Sequence, residues 1–257
     1  MISIILPVYQ REDIIEQVLQ GIWDNSSELV KELIIIIDGC TDKSEEIIIK
    51  FVTEHPDKFS YNVLHAPNVN EVLACNMGLK VATEPFCMSV QDDQVINQLG
   101  YDAQLLKPMM VWKEVFAVTS SRAYNIYPNN SGGVYFAAMA CFDITPRTTF
   151  AIRDIADRGP LLFRHTMLES LDYLDTAFAP ISYDDVDICM RAYAKEGWLS
   201  GVYPMPLFGK YELGTTRKLG PSTNIIQTAW HKNVPIIIKR HYYAIVGTKH
   251  DEDRELL

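Results

Sequence analysis

The strongest constraint in this sequence is an alternation within residues 1–93. Ile2–Val8 is a β-branched apolar run, and Glu12–Ile22 then carries apolar residues at 14, 15, 18, 19 and 22, the spacing of a helix face. Leu33–Ile37 is unbroken and apolar and closes at Asp38-Gly39; Thr41 or Asp42 can cap a helix running to about His55-Pro56, with Glu45 and Glu46 in its first turn. Phe59–His65 reads as a strand, Val69–Val81 as a helix, and Phe86–Val90 as a strand ending in Gln91-Asp92-Asp93. Continuous apolar strands separated by helices predict an α/β fold whose sheet is covered on both faces. Ligands in such sheets lie beyond the carboxyl ends of the strands, so Pro7–Tyr9, Asp38–Asp42 and Gln91–Asp93 are expected along one rim.

The second half is less regular. Tyr101–Trp112 reads as a helix, Val115–Ser120 and Val134–Phe142 as strands, and 129–133 as a loop. A helical stretch is expected from about Leu161, after Arg158-Gly159-Pro160, and a helix over Asp184–Glu196, ending at Gly197. No linker separates the halves. The expectation is a single domain over 1–257, with lobes at 1–94 and 95–209 and a basic segment at 210–257.

Composition narrows the function. Charged residues are 22% and hydrophobic ones 48% of 257, which is a folded chain and not an acidic disordered one. No apolar run approaches the roughly 20 residues that span a bilayer. Met1-Ile2-Ser3 enters an apolar run with no basic leader, which reads as no signal peptide. The five cysteines lack any C-x-x-C and fit free thiols in a reducing, cytoplasmic compartment. A net charge of −10 argues against nucleic acid as a partner. That charge is segregated: residues 1–209 carry −13 and Lys210–Lys249 carry +6. The basic segment is either a solvated helix face or a flap toward a phosphorylated ligand or an anionic membrane surface, which would make membrane contact peripheral.

Three acidic groups can carry chemistry. Asp92-Asp93 is either a polar loop after a strand or an oxygen site for Mg²⁺ or Mn²⁺. Asp184, Asp185 and Asp187 start a helix, where acids favour the dipole, yet three in four residues exceed what capping requires; one can serve as a general base. Asp38 and Asp42 are either turn and cap residues or acceptors for a base or ribose. His231 and His241 lie in the basic segment as further candidates for a metal or a phosphate. Neither a P-loop nor a G-x-G-x-x-G is present, and no G-x-S-x-G surrounds Thr119-Ser120-Ser121.

Taken in order, these pieces resemble the family 2 glycosyltransferases of the GT-A fold. Ile2–Glu12 is similar to that family's opening strand and P-x-Y-N-x-E turn, with Gln10 for Asn; Ile34–Asp42 to its "vvDdgStD" turn; Leu73–Leu79 to "aaArNxGl", with Cys75 for Arg. Phe86–Asp93 resembles the strand into D-x-D, with Gln91 in the first position; Gly159–Leu168 resembles the acceptor-side segment; Asp184–Arg191 resembles "EDvDlclR", with Asp184 for Glu. The resemblance covers about 1–200.

It implies a GT-A fold, a Rossmann-like mixed sheet flanked by helices, and inverting transfer of a sugar from a nucleoside-diphosphate donor, commonly a UDP-sugar, to a glycan, lipid-linked or protein hydroxyl. Pro7, Val8, Tyr9 and Glu12 would line the nucleoside pocket, Asp38 would accept from the base, and Asn76 would stand in the cofactor site. Asp92 would sit beside the ribose or sugar, Asp93 would hold the metal, helped by Asp92, His231 or His241, and Asp185 would be the general base. No Q-x-x-R-W follows, so a processive synthase is not expected. The competing readings are a sugar nucleotidyltransferase, whose Gly-rich opening loop is missing, and a catalytically weak nucleotide-sugar-binding protein, which Gln91 favours.

Overall fold

A computed structural model of the chain describes residues 1–131, 133–141, 143–205, 208–211, 223–246 and 252–256. The first part runs β1 (Ile2–Val8), α1 (Ile15–Asn25), β2 (Val30–Asp38), α2 (Ser44–Glu54), β3 (Ser60–Ala66), α3 (Glu71–Val81), β4 (Phe86–Ser89), β5 (Gln94–Ile96) and α4 (Tyr101–Val111). It continues through β6 (Val115–Thr119), β7 (Arg122–Pro128), β8 (Val134–Cys141), β9 (Thr149–Arg153), β10 (Ile155–Ala156), β11 (Leu161–Arg164) and α5 (His165–Ser170). A 3₁₀ turn (Thr176–Phe178), α6 (Asp184–Glu196), β12 (Leu199–Val202), β13 (Phe208–Tyr211), α7 (Thr223–Val246) and β14 (Glu252–Glu255) complete it.

Among the described residues the main sheet has the order β14-β9-β12-β6-β11-β4-β1-β2-β3. Strands β4, β1, β2 and β3 are parallel, β11 runs antiparallel between β4 and β6, and β12 is parallel to β6. The sheet is therefore mixed, and it joins the first 94 residues to strands from the rest of the chain. A three-stranded antiparallel sheet, β10-β7-β8, stands apart from it.

The unbroken apolar strands have a simple physical cause. Leu33, Ile35 and Ile37 of β2 enter one core with Ile15, Leu19, Tyr101 and Leu105 from α1 and α4. Ile34 and Ile36, pointing the other way, enter a second core with Val72, Leu79, Ile188 and Ala192 from α3 and α6. Such a strand is covered on both faces, so alternation is absent. Burying each such side chain contributes on the order of 1.5–3 kcal/mol.

All seven strands and helices expected in the first 93 residues are present. In the second half the difference with consequences is Leu161. The run Leu-Leu-Phe was expected to open a helix; it is instead β11, buried in the middle of the sheet, and the helix starts at His165. A short apolar run has no period to separate a two-face-buried strand from a helix, and here pairing with β4 and β6 decides it. Strands β7, β9 and β12 and the helix α7 were not anticipated. Of the basic segment, Arg217, Lys218 and Lys249 lie outside the described residues.

Gly78 sets how closely α3 approaches the sheet. A Cβ there would stand 2.6 Å from Ile5 Cγ2 and 2.8 Å from Ile36 Cδ1. Ile5 is β-branched and fully buried and has little room to turn. Gly78→Val is expected to lower stability by about 2–3 kcal/mol through overpacking, read as a fall in the urea midpoint at unchanged m-value.

Candidate active site

The carboxyl ends of β1, β2 and β4 meet at one rim, as the alternation predicted. A cavity of about 410 Å³ opens there, with Pro7, Val8, Tyr9 and Asp38 on the side of β1 and β2. Ser89 through Asp93 line it from the end of β4, Glu71 and Ala74 from α3, and Arg158 from the turn between β10 and β11. Four lining carboxylates, Asp38, Glu71, Asp92 and Asp93, thus share the space with the Arg158 guanidinium.

Several local bonds shape this rim. The Tyr9 amide donates to Asp92 Oδ2 at 2.9 Å, fastening the β1 turn to the β4 turn. Asp38 accepts from the amides of Val69 (2.6 Å) and Asn70 (2.9 Å), ordering the turn from which Asn68 and Asn70 reach the cavity. Each Asp38 oxygen keeps a lone pair for a ligand. Gln10 donates to Thr41 Oγ1 at 2.8 Å and accepts from the amides of Thr41 and Asp42, so it holds the β2 turn.

Asp92 is pushed up to about 7. Burial is the main cause; the Tyr9 amide and Arg11 oppose it, while Asp93 and Glu71 add to it. Asp93 is buried. Among the described residues no three of His, Cys, Asp and Glu stand together as a metal cage. Adjacent carboxylates at a cavity offer the oxygen donors that a hard cation such as Mg²⁺ or Mn²⁺ takes.

Arg158 joins the cavity to α6. It donates through Nη1 to Glu71 Oε1 at 2.6 Å and through Nη2 to Asp184 Oδ2. Its amide faces Asp185 Oδ2 at 3.4 Å, and the Val186 amide donates to Asp185 Oδ1 at 2.8 Å. Asp185 is raised to about 7, chiefly by burial and then by the neighbouring Asp157 carboxyl, against the pull of Arg158. Asp185 is not itself on the cavity wall; it stands behind Arg158.

Four expected site residues are placed elsewhere. Glu12 accepts from the Lys43 amide at 2.9 Å, and its own amide donates to Asp42 at 2.9 Å; this exchange fixes the start of α2, outside the cavity lining. The Asn76 side chain clamps the backbone of Leu174, donating at 2.7 Å and accepting at 3.0 Å. His231 is exposed and does not line the cavity. His241 bonds Asp187 Oδ1 at 2.8 Å. For Glu12, Asn76 and His241 a nearby backbone group or buried acid captures the polar group, which sequence order alone does not display. Conversely, Glu71 and Arg158 were not chosen as site residues. Their contacts lie 87 and 26 positions apart in sequence, and the one visible signal was an Arg before Gly159-Pro160.

The sequence profile described as Glycosyl transferase family 2 matches residues 3–168. The chain belongs to that family. A glycosyltransferase of Escherichia coli (strain K12), YibD, described as uncharacterized, is 29% identical over 101 residues, which are 39% of this chain and 28% of that protein's length. Among solved structures, the mannosyltransferase PcManGT of Pyrobaculum calidifontis, in complex with GDP-Man and Mn²⁺, aligns with a TM-score of 0.60 at 17% identity, over 79% of this chain and 54% of its own. Glucosyl-3-phosphoglycerate synthase of Mycobacterium tuberculosis, in complex with Mn²⁺, UDP and phosphoglyceric acid, aligns at 0.57 with 16% identity, over 89% of this chain and 76% of its own. TarS 1–349 of S. aureus with UDP gives 0.57 and 16%, over 89% and 64%. The fold is GT-A.

Within this family 2 chain, the acids of α6 diverge in use. No side chain caps α6; Asp184 takes Arg158, Asp185 faces the turn at 157–158, and Asp187 binds His241 and Arg191 Nε (2.6 Å). Burial pushes the Asp187 carboxyl up, but the bonds from His241 and Arg191 outweigh it and hold it below the ordinary 3.8. A depressed carboxyl stabilises the fold above its unfolded pKa, and that gain is lost as pH falls through the folded value. Asp187→Asn is expected to cost about 3 kcal/mol at pH 7. In urea unfolding series the gap to wild type should narrow below pH 3.8, where wild type loses the same charge.

Proposed function

We propose that this family 2 chain transfers a sugar from a nucleoside-diphosphate donor, UDP being the first candidate, to a hydroxyl acceptor with inversion. The observation that carries the reading is the carboxylate cavity at the rim of β1, β2 and β4, with a buried carboxyl raised to about 7 beside it at the start of α6.

The nucleoside would lie along Pro7, Val8 and Tyr9 toward Asp38. A divalent cation held by Asp93 and Asp92 would supply Lewis-acid stabilisation of the departing diphosphate. Asp185 would take the proton of the acceptor hydroxyl as that oxygen attacks the anomeric carbon from the face opposite the leaving group. One displacement of this kind inverts configuration. A base titrating near the working pH combines an ionised fraction with proton affinity, which is what burial and Asp157 give Asp185. Arg158 pairs with both Asp184 and Glu71 beside it.

Gln91, the residue that favoured a weak binding protein, donates to Glu71 Oε1 at 3.2 Å and accepts from Gln94 at 3.0 Å. It orders the turn, and Glu71 brings to the same cavity the carboxylate that Gln91 lacks. This supports the transferase reading over the binding one.

Asp185→Asn should lower transfer by about 100-fold or more while UDP affinity by calorimetry stays within about twofold; near-normal turnover would refute the base. The acid limb of the kcat/KM profile should lie near pH 7, since the base must be ionised. Asp157→Asn removes a charge that raises it and should move that limb to lower pH. Asp93→Ala should abolish the gain in UDP affinity on adding Mn²⁺; an unchanged gain would place the metal elsewhere.

A further inference from the structure

Part of the cavity lining is apolar and comes from α7, as Ile225 and Trp230. The helix buries one stripe at four-residue spacing: Ala229, Asn233, Ile237, His241 and Ile245 are each at most 6% exposed. The next position in that stripe is Ile225, which is 50% exposed and lines the cavity. The seam therefore runs off the protein and into the cavity. Trp230 lines it too and is 51% exposed, although packing of α7 does not require an indole there.

This wall is held rigidly. Asn233, fully buried, donates to the carbonyls of Phe178 (3.2 Å), Ile181 (3.1 Å) and Ser182 (2.8 Å). Lys232 donates to the Ala179 carbonyl at 2.7 Å. Pro180, Ile181 and Ser182 are themselves cavity residues, so helix and loop form one locked surface. Their chain continues directly into α6, where Asp185 lies three residues after Ser182. This wall is thus tied through the chain to the start of α6, which carries the proposed base.

We propose that Trp230 and Ile225 form an acceptor subsite that stacks the apolar face of a sugar ring, which makes the acceptor a glycoside. A pyranose presents axial C–H groups on one face and hydroxyls at its edge; an exposed, pre-positioned indole suits the first. Ser182 and the proposed base suit the second. A small anionic acceptor fits poorly, because Arg158, the one cation among the described lining residues, is already paired with Glu71 and Asp184.

The assignment of this wall to the acceptor rests on the transferase reading; the sugar-binding itself does not. Saturation-transfer NMR on the full chain tests it, with Mg²⁺, with and without UDP. The probes are methyl β-glucopyranoside, methyl α-mannopyranoside, methyl N-acetyl-β-glucosaminide and, as the anionic non-ring control, 3-phosphoglycerate. At least one glycoside should receive saturation at its ring protons. Its affinity should fall about tenfold in Trp230→Ala and be largely kept in Trp230→Phe. UDP affinity should move less than about twofold. The proposal is overturned by no glycoside binding, by equal binding to Trp230→Ala, or by a loss of UDP affinity in that variant, which would make Trp230 a nucleobase platform. Absence of UDP binding in wild type would instead sink the donor reading and leave the glycoside result standing.

Discussion

The rim depends on one cation. Arg158 sits among Glu71 from α3 and Asp184 from α6, and its own amide faces Asp185. Without it, the acids that α3 and α6 bring to the end of the sheet would be buried with no positive partner, a state costing several kcal/mol per uncompensated charge. With it, a carboxylate on each side gains a cationic partner and the two helices are pinned to the turn between β10 and β11. The neighbouring Gly159 has φ +117, a backbone state that suits glycine, and its α-carbon packs against the Gln94 side chain. The chain thus turns sharply where the guanidinium enters. Asp185 owes its raised pKa to the same arrangement: it is buried near Asp157, and Arg158 offsets only part of the effect.

Much of the fold was legible because it is local. The four apolar strands and three helices of residues 1–93 follow from periodicity and turn residues, and the rim they imply is where the cavity lies. Tyr9, Asp38, Asp92 and Asp93 were found from order along the chain, since each ends a parallel strand or opens the turn after it. What was not legible depends on pairing across long separations. Leu161–Arg164 is a strand because β4 and β6 leave a gap for it. Asn76 clamps Leu174, and Glu12 clamps α2, because those backbone groups happen to fold beside them. A polar side chain in a family-like position is therefore only a candidate until its nearest backbone donors are known.

The basic C-terminal segment was read as a source of charge for a phosphorylated ligand or a membrane. Two of its described bases, Arg240 and Lys232, are used otherwise. Arg240 pairs with Asp175, lies 3.6 Å from Asp187 and stacks over Phe178, and Lys232 holds a carbonyl. These contacts seat α7 against α6 and the 3₁₀ turn. No described helix is long and apolar enough to cross a membrane. What α7 presents to the cavity is Ile225 and Trp230, so its contribution there is shape and apolar surface, with the charge of Arg240 and Lys232 directed into anchoring.

The overall charge of −10 then has a local meaning. The cavity holds Asp38, Glu71, Asp92 and Asp93 against a guanidinium already committed to two acids. Asp92 is raised to about 7, chiefly by burial and further by Asp93 and Glu71, so its full charge is unfavourable in this space. Bringing in a diphosphate would add repulsion to that, and the described residues offer no free cation among those that line the cavity to meet it. On the proposed reading, a divalent ion would resolve both conflicts together, because it would stabilise Asp92 in its ionised form and the phosphates at once. Cation and nucleotide would then bind with positive coupling, each raising the affinity of the other by the same factor, as linkage requires.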